Sequence, residues 1–179
     1  MIPRSALRRF LPSVLALLCL ALSTASSLRA EGEVKFPADG SSIRFTPPVG
    51  WKISHEDDGT MICTAPDAQY FFALISGKDD IHDMYNELPG VARTLGDKSK
   101  LTDTDAGHSS EWDNHNGLKI FIYSFKGKRD GQDIDVVAAG LVPAKGDTCI
   151  LLCVATPKAQ EAHDNAMRAV MRSLKTAAD

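Results

Sequence analysis

The feature that most constrains the fold is a run of three segments in which apolar residues occupy both alternating positions. The segments are Ile120 to Phe125, Val136 to Val142 and Ile150 to Val154, and they lie within the strand candidates Leu118 to Lys126, Ile134 to Val142 and Thr148 to Ala155. Successive side chains of a strand point to opposite faces of a sheet, so a strand with one wet face alternates apolar and polar residues. These segments therefore predict strands that are covered on both faces.

The connections between these three strands are short and rich in turn residues. They contain Asp130-Gly131 and Lys145-Gly146-Asp147. A parallel crossover needs about a dozen residues or more, so these strands are predicted to form antiparallel hairpins.

Several shorter strands are predicted earlier in the chain. Glu56-Asp57-Asp58-Gly59 forms a turn in which glycine supplies a positive φ, and it predicts a hairpin between its flanking segments. The earlier strand candidates are Val34 to Pro37, Ser42 to Pro47, Trp51 to His55, Thr60 to Thr64 and Gln69 to Ser76.

Two helices accompany the strands. The first begins near Asp79-Asp80, and Pro89-Gly90 predicts either a kink or two short helices, because proline lacks a backbone donor. The second begins with Thr156 as cap and Pro157 in its first turn, and it ends near Lys175. Both carry an apolar stripe at helical spacing.

The fold class predicted from these elements is α+β. The two helices are the available covers for the central strands, which gives an antiparallel sheet sandwiched by helices, an α/β/α sandwich. The alternative is a two-layer arrangement with a long loop on the second face. Residues 101–116 are polar and predict either an edge strand or a loop.

The first thirty residues predict a signal peptide. Arg4, Arg8 and Arg9 precede an apolar stretch from Leu11 to Leu22, which is shorter than the roughly 20 residues that span a bilayer. Cleavage is expected after Ala25 or after Ala30. Leu18 precedes Cys19 where a lipid-modified cysteine would need a small residue, so no lipid anchor is expected.

Processing would leave residues 31–179 as one α+β domain, secreted or periplasmic, with no stable membrane insertion. Removing residues 1–30 takes away four of the 20 Lys and Arg and none of the 23 Asp and Glu, so the net charge changes from -3 to -7. Nucleic acid binding depends on many cationic contacts. Nucleic acid is therefore not an expected partner.

Three cysteines remain in the mature chain. Cys149 and Cys153 are too far apart on one strand to form a disulfide, since four residues span about 13 Å. Cys63 could pair with either, but the apolar neighbours favour three buried thiols. Burial raises the pKa of a thiol, so a redox-active thiol protein is a less favoured interpretation.

A polar segment supplies the densest group of metal-ligating residue types. In HSSEWDNH these are His108, Glu111, Asp113 and His115, which suit Zn²⁺ or Mn²⁺. On a regular strand His108 faces away from the other three, so all four converge only if a bulge intervenes. The segment is predicted to be a solvated edge strand, with a metal site as the alternative.

The remaining histidines and the tryptophans carry no clear site pattern. His55, His82 and His163 are expected to stand alone on the surface. Trp51 and Trp112 are expected to close the rim of the core, with a ligand-binding surface as the alternative.

Other catalytic patterns are not present in the sequence. Asp103 to Gly107 begins like a calcium loop but lacks the required later ligands. No serine lies in a Gly-x-Ser-x-Gly elbow, and neither phosphate-binding glycine motif occurs. No cofactor is expected, and the sequence favours a protein that is not an enzyme.

Some of these segments together resemble the PsbP-like superfamily. They are Pro47-Pro48-Val49-Gly50-Trp51, the aromatic strand Tyr70 to Ile75, and the closing helix after Thr156-Pro157. That group includes the extrinsic photosystem II subunit, a Ran-binding nuclear-transport factor and bacterial envelope proteins of the DcrB type. The resemblance implies an α/β/α sandwich and an accessory or binding role without catalysis.

The function expected from the sequence is an exported, non-catalytic accessory or binding protein of a bacterial-type cell envelope. Its partner would be a protein or a small molecule. The alternative is a metal-binding protein or metal-dependent hydrolase that uses residues 108–115.

Overall fold

The computed structural model of the chain describes residues 28–29, 32–37, 43–77 and 83–177, with the backbone alone at 28–29 and 112–114. Apart from residues 28–29, the predicted signal peptide at residues 1–30 lies outside the described residues. The predicted helix start at Asp79-Asp80 lies outside them as well.

A large antiparallel sheet forms the centre of the molecule. Eight strands lie side by side in the order β1-β4-β5-β6-β10-β9-β8-β7, and every neighbouring pair is antiparallel. Their bounds are β1 Leu28–Arg29, β4 Lys52–His55, β5 Met61–Thr64, β6 Phe71–Ser76, β7 His108–His115, β8 Leu118–Arg129, β9 Gln132–Pro143 and β10 Cys149–Ala155.

Tight turns set the register of the last strands. Asp130 and Gly131, at φ 51° and 79°, join β8 to β9 as a two-residue turn of the kind that matches strand twist. Asn116 and Gly117, at φ 50° and 81°, join β7 to β8 in the same way. The sequence prediction includes the first turn but not the second, although Asn-Gly is a strong hairpin signal.

Helix α1, Met84–Lys98, covers one face of the sheet. Its cap is Asp83, whose side chain accepts a hydrogen bond from Asn86 N. Pro89 lies within this one helix, so the predicted alternative of two short helices does not occur. Pro89 cannot donate the backbone hydrogen bond to the Tyr85 carbonyl, and the helix continues past it to Lys98. The residues buried beneath α1 include Phe121, Phe125, Ile134, Ile150 and Leu152.

Helix α2, Pro157–Ser173, shares the opposite face with a small second sheet. That sheet has the order β11-β3-β2, with β2 Val34–Phe36, β3 Ile43–Phe45 and β11 Lys175–Thr176. Thr156 caps α2 by accepting from Ala159 N at 3.3 Å. The core on this side includes Phe36, Phe45, Ile120, Leu151 and Val170.

The prediction of an antiparallel sheet covered on both faces is confirmed. Along β10, Ile150 and Leu152 are buried on the α1 side, while Leu151 and Cys153 are buried on the α2 side. The second face differs from the prediction of a cover by a helix alone, because α2 and the small sheet cover it together.

The polar segment at residues 101–116 divides into a loop and a strand. Residues 101–107 form a loop that is tied to β8 by a bridge between Thr102 and Lys128. Residues 108–115 form β7, which lies at the edge of the large sheet as predicted.

Within the described ranges, neither helix has the length and apolar composition that crossing a membrane requires.

Candidate functional site

The predicted metal ligands on β7 lie in different surroundings. His108 is exposed and lies opposite Ser124 in the ladder. Glu111 Oε1 is 2.8 Å from Lys119 Nζ, and His115 Nε2 is 2.9 Å from the carbonyl oxygen of Met171. The side chain of Asp113 lies outside the described residues.

A register shift between Trp112 and His115 supplies the bulge that the metal hypothesis required. The shift places His115 opposite Leu118, on the same sheet face as His108, whereas Glu111 lies opposite Phe121 on the other face. Seven residues of strand separate the two histidines by about 20 Å, which is too far to share an ion. Among the side chains that the structure describes, no three His, Cys, Asp or Glu form a metal-binding group.

An open groove lies on the α2 side of the sheet, at the end where α2 begins. Its volume is about 490 Å³. We call it the β8–β9 groove. Its lining includes loop residues 105–107 and the residues His108, Ser124, Lys126, Asp135, Val137 and Gln160. Among the predicted metal ligands whose side chains the structure describes, His108 lines this groove and Glu111 and His115 do not.

The loop that forms one wall is held by hydrogen bonds on both sides. Asp105 Oδ1 accepts from Lys126 N at 3.1 Å and from Gly107 N at 3.0 Å. Tyr123 donates its hydroxyl to Ala106 O at 3.1 Å and accepts from Arg93 Nε at 2.9 Å. The loop is therefore anchored to both β8 and α1.

Gly107 is required at the point where this loop enters β7. Its φ is +77°, and a Cβ there would overlap the ring and hydroxyl of Tyr123. Only glycine combines the left-handed backbone with such close packing.

The floor of the groove carries two opposite charges on neighbouring strands. Lys126 and Asp135 are directly opposite in the β8–β9 ladder, and Lys126 Nζ is 3.8 Å from Asp135 Oδ1. The Lys126 side chain is 75% exposed and that of Asp135 is 21% exposed. Ser124 and Val137 form the next pair on the same face.

The opposite wall is the first turn of α2. Gln160 lies there, and its Oε1 atom is buried without a hydrogen-bond partner among the described residues. A buried acceptor without a partner is energetically costly. Rotation of the terminal amide is a soft motion that would let this oxygen meet a donor in the groove.

The three thiols lie outside the groove, in the core. Cys63, Cys149 and Cys153 are buried and unpaired, and burial raises the pKa of each thiol to about 12. Phe72 on β6 pairs with Cys63 on β5 and with Cys153 on β10. The two cysteines are therefore two strand spacings apart, which is about 10 Å. That separation exceeds the limit for a disulfide. The prediction of three buried core thiols agrees with this arrangement.

His163 on α2 was expected to stand alone on the surface, and that expectation is wrong. Its Nε2 is 2.9 Å from Asp67 Oδ2, and its ring packs against Trp51 and Tyr70 at centroid distances of 5.5 and 5.4 Å. Trp51 is buried, so it belongs to the core. The cluster fixes α2 to the turn between β5 and β6.

Sequence reasoning missed most of the groove. The α2-side face of β8 changes from apolar to polar at Ser124 and Lys126, and the same face of β9 is polar at Asp133 and Asp135. Polar residues at alternate positions of a buried strand are the signal that could have identified this surface. Gln160 carried no comparable signal, because it lies on a mixed helix face.

The fold is similar to that of a solved PsbP structure, in agreement with the fold that the sequence resemblance implies. The solution structure of cyanobacterial PsbP (CyanoP) from Synechocystis shares it with a TM-score of 0.56 and 11% identity, covering 88% of this chain and 98% of that chain. The crystal structure of LpqN, involved in cell envelope biogenesis of Mycobacterium tuberculosis, has a TM-score of 0.49 and 14% identity, with 81% and 90% covered. No family model matches the sequence, and no curated protein matches it.

Proposed function

We propose that this chain is an exported, non-catalytic binding protein of the cell envelope, and that the β8–β9 groove binds a small polar ligand. The observation that carries the proposal is the Lys126–Asp135 pair on the floor of an open groove. Concave surfaces with a few convergent polar groups are the usual places for small-molecule binding.

The chemistry of the groove does not favour catalysis by a thiol. None of the three thiols lines it, and their raised pKa values keep them protonated near neutral pH. Export is supported by the N-terminal pattern of the sequence, and an accessory role is what the PsbP-like resemblance implies.

Nuclear magnetic resonance on the mature protein tests this function. The small-molecule fraction of an envelope extract from the source cells is added, and backbone amide shifts are recorded. We expect changes centred on residues 105–108, 124–126 and 135–137. Changes elsewhere alone, or none, would contradict the proposal.

A variant that fills the groove provides the matched test. Ser124→Trp places a large ring in the groove and should abolish the shift changes. Lys52→Trp introduces the same ring at an exposed position of β4, away from the groove, and should leave them intact.

A further inference from the structure

We infer that the ligand of the β8–β9 groove is a free α-amino acid, bound by its ammonium and carboxylate groups. This inference rests on the proposed function and names the chemical class of its ligand. Lys126 would contact the carboxylate and Asp135 the ammonium group.

The spacing of the two charges matches this class of molecule. Lys126 Nζ and Asp135 Oδ1 are 3.8 Å apart, whereas a charge-assisted hydrogen bond is about 2.8 Å long. The pair is therefore loose, and each group has unused hydrogen-bonding capacity. An α-amino acid carries its ammonium nitrogen and a carboxylate oxygen about 3 Å apart. Both protein charges can thus be matched by one ligand.

Other residues that line the groove can make further contacts with an α-amino acid. The Gln160 amide oxygen can accept a second hydrogen bond from the ammonium group after rotation, and the Ser124 hydroxyl and His108 ring can donate to the carboxylate. Val137 offers an apolar contact for the ligand side chain. A groove of about 490 Å³ has room for that side chain.

A second Lys–Asp pair supplies a matched control within the same ladder. Lys128 lies opposite Asp133, two positions along from Lys126 and Asp135 and on the same face, but neither residue lines the groove. The two pairs share residue types and strand geometry. They differ in their access to the groove.

The experiment is isothermal titration calorimetry of the mature protein with each of the proteinogenic L-amino acids in turn. At least one should bind saturably, and its N-acetyl methylamide, which lacks both charges, should not bind. Lys126→Met and Asp135→Asn should each weaken binding by about tenfold or more, which corresponds to about 1.4 kcal/mol. Lys128→Met and Asp133→Asn should change it by less than about twofold.

Each of the following results would overturn the inference that the ligand is an α-amino acid. Binding that survives Lys126→Met and Asp135→Asn, in variants whose thermal unfolding is unchanged, would remove the assigned contacts. If no amino acid binds while the envelope fraction still shifts the groove amides, the ligand class is wrong and the proposed function stands. If neither has an effect, both fail.

Discussion

Because the three thiols are buried, we expect them to react slowly with alkylating reagents in the folded protein. Cys63, Cys149 and Cys153 have pKa values raised to about 12 by burial, so the reactive thiolate is scarce near neutral pH. Iodoacetamide should label the folded protein slowly at all three positions. Mass spectrometry of the intact protein would follow the labelling.

Denaturation supplies the control for that experiment. In guanidinium chloride the three thiols of the mature chain should label rapidly. Rapid labelling of any of them in the folded state would contradict the core assignment and revive the redox interpretation.

Asp67 predicts a pH dependence of stability. Its pKa is lowered first by a backbone hydrogen bond from Gln69 and further by the side chain of His163. A carboxylate with a lowered folded-state pKa contributes stability above its unfolded pKa and loses it as pH falls through the folded pKa. Urea unfolding midpoints should therefore fall as the solution becomes more acidic than about pH 4.

The substitution Asp67→Asn tests that assignment. The variant should show a weaker fall in midpoint over the same acidic range, because the asparagine side chain does not titrate. An identical acid profile in the variant and the unaltered protein would show that Asp67 does not contribute.

At the scale of elements, the cap of α2 is open to a direct test. Thr156 Oγ1 accepts from Ala159 N, so Thr156→Ala leaves that amide without its side-chain partner. We expect a loss of about 1 kcal/mol in the free energy of unfolding, measured by urea denaturation. Thr156→Ser keeps the hydroxyl and should lose much less. Equal losses in both variants would argue for methyl packing rather than capping.

The elements that sequence reasoning placed well are those with strong periodicity or turn chemistry. The strands β8, β9 and β10 have apolar residues on both faces, and Thr156-Pro157 marks the start of α2. The division of residues 101–116 into a loop and a strand could not be predicted, because the loop at residues 101–107 is held by tertiary contacts from Arg93 and Tyr123 rather than by local propensity.

At the scale of the whole molecule, the site of signal-peptide cleavage decides whether β1 is present in the folded protein. Leu28 and Arg29 pair with Ile53 and Lys52, at the edge of the large sheet. Cleavage after Ala25 would keep this strand, whereas cleavage after Ala30 would remove it. A chain that starts at residue 26 should be more stable than one that starts at residue 31, by about 1 kcal/mol.

Urea unfolding of the two chains measures that difference, and the intact mass of the exported protein identifies its first residue. A first residue of Ser26 would show that β1 is retained in the mature protein. Equal stability of the two chains would show that β1 contributes nothing to the fold.

The overall architecture could be predicted because two-sided burial of β8, β9 and β10 demands two covers. The groove could not be predicted, since it depends on where the first turn of α2 lies relative to the polar ends of β8 and β9. Gln160 and Lys126 are 34 positions apart in the printed sequence, and no local pattern relates them.

The construction of the groove has a consequence for kinetics. Its floor is a continuous hydrogen-bonded ladder of β7, β8 and β9, so the floor cannot change shape without breaking strand pairing. A molecule that reaches Lys126 enters from an open side and leaves by the same path. We therefore expect a bound molecule to exchange rapidly with the surrounding solution.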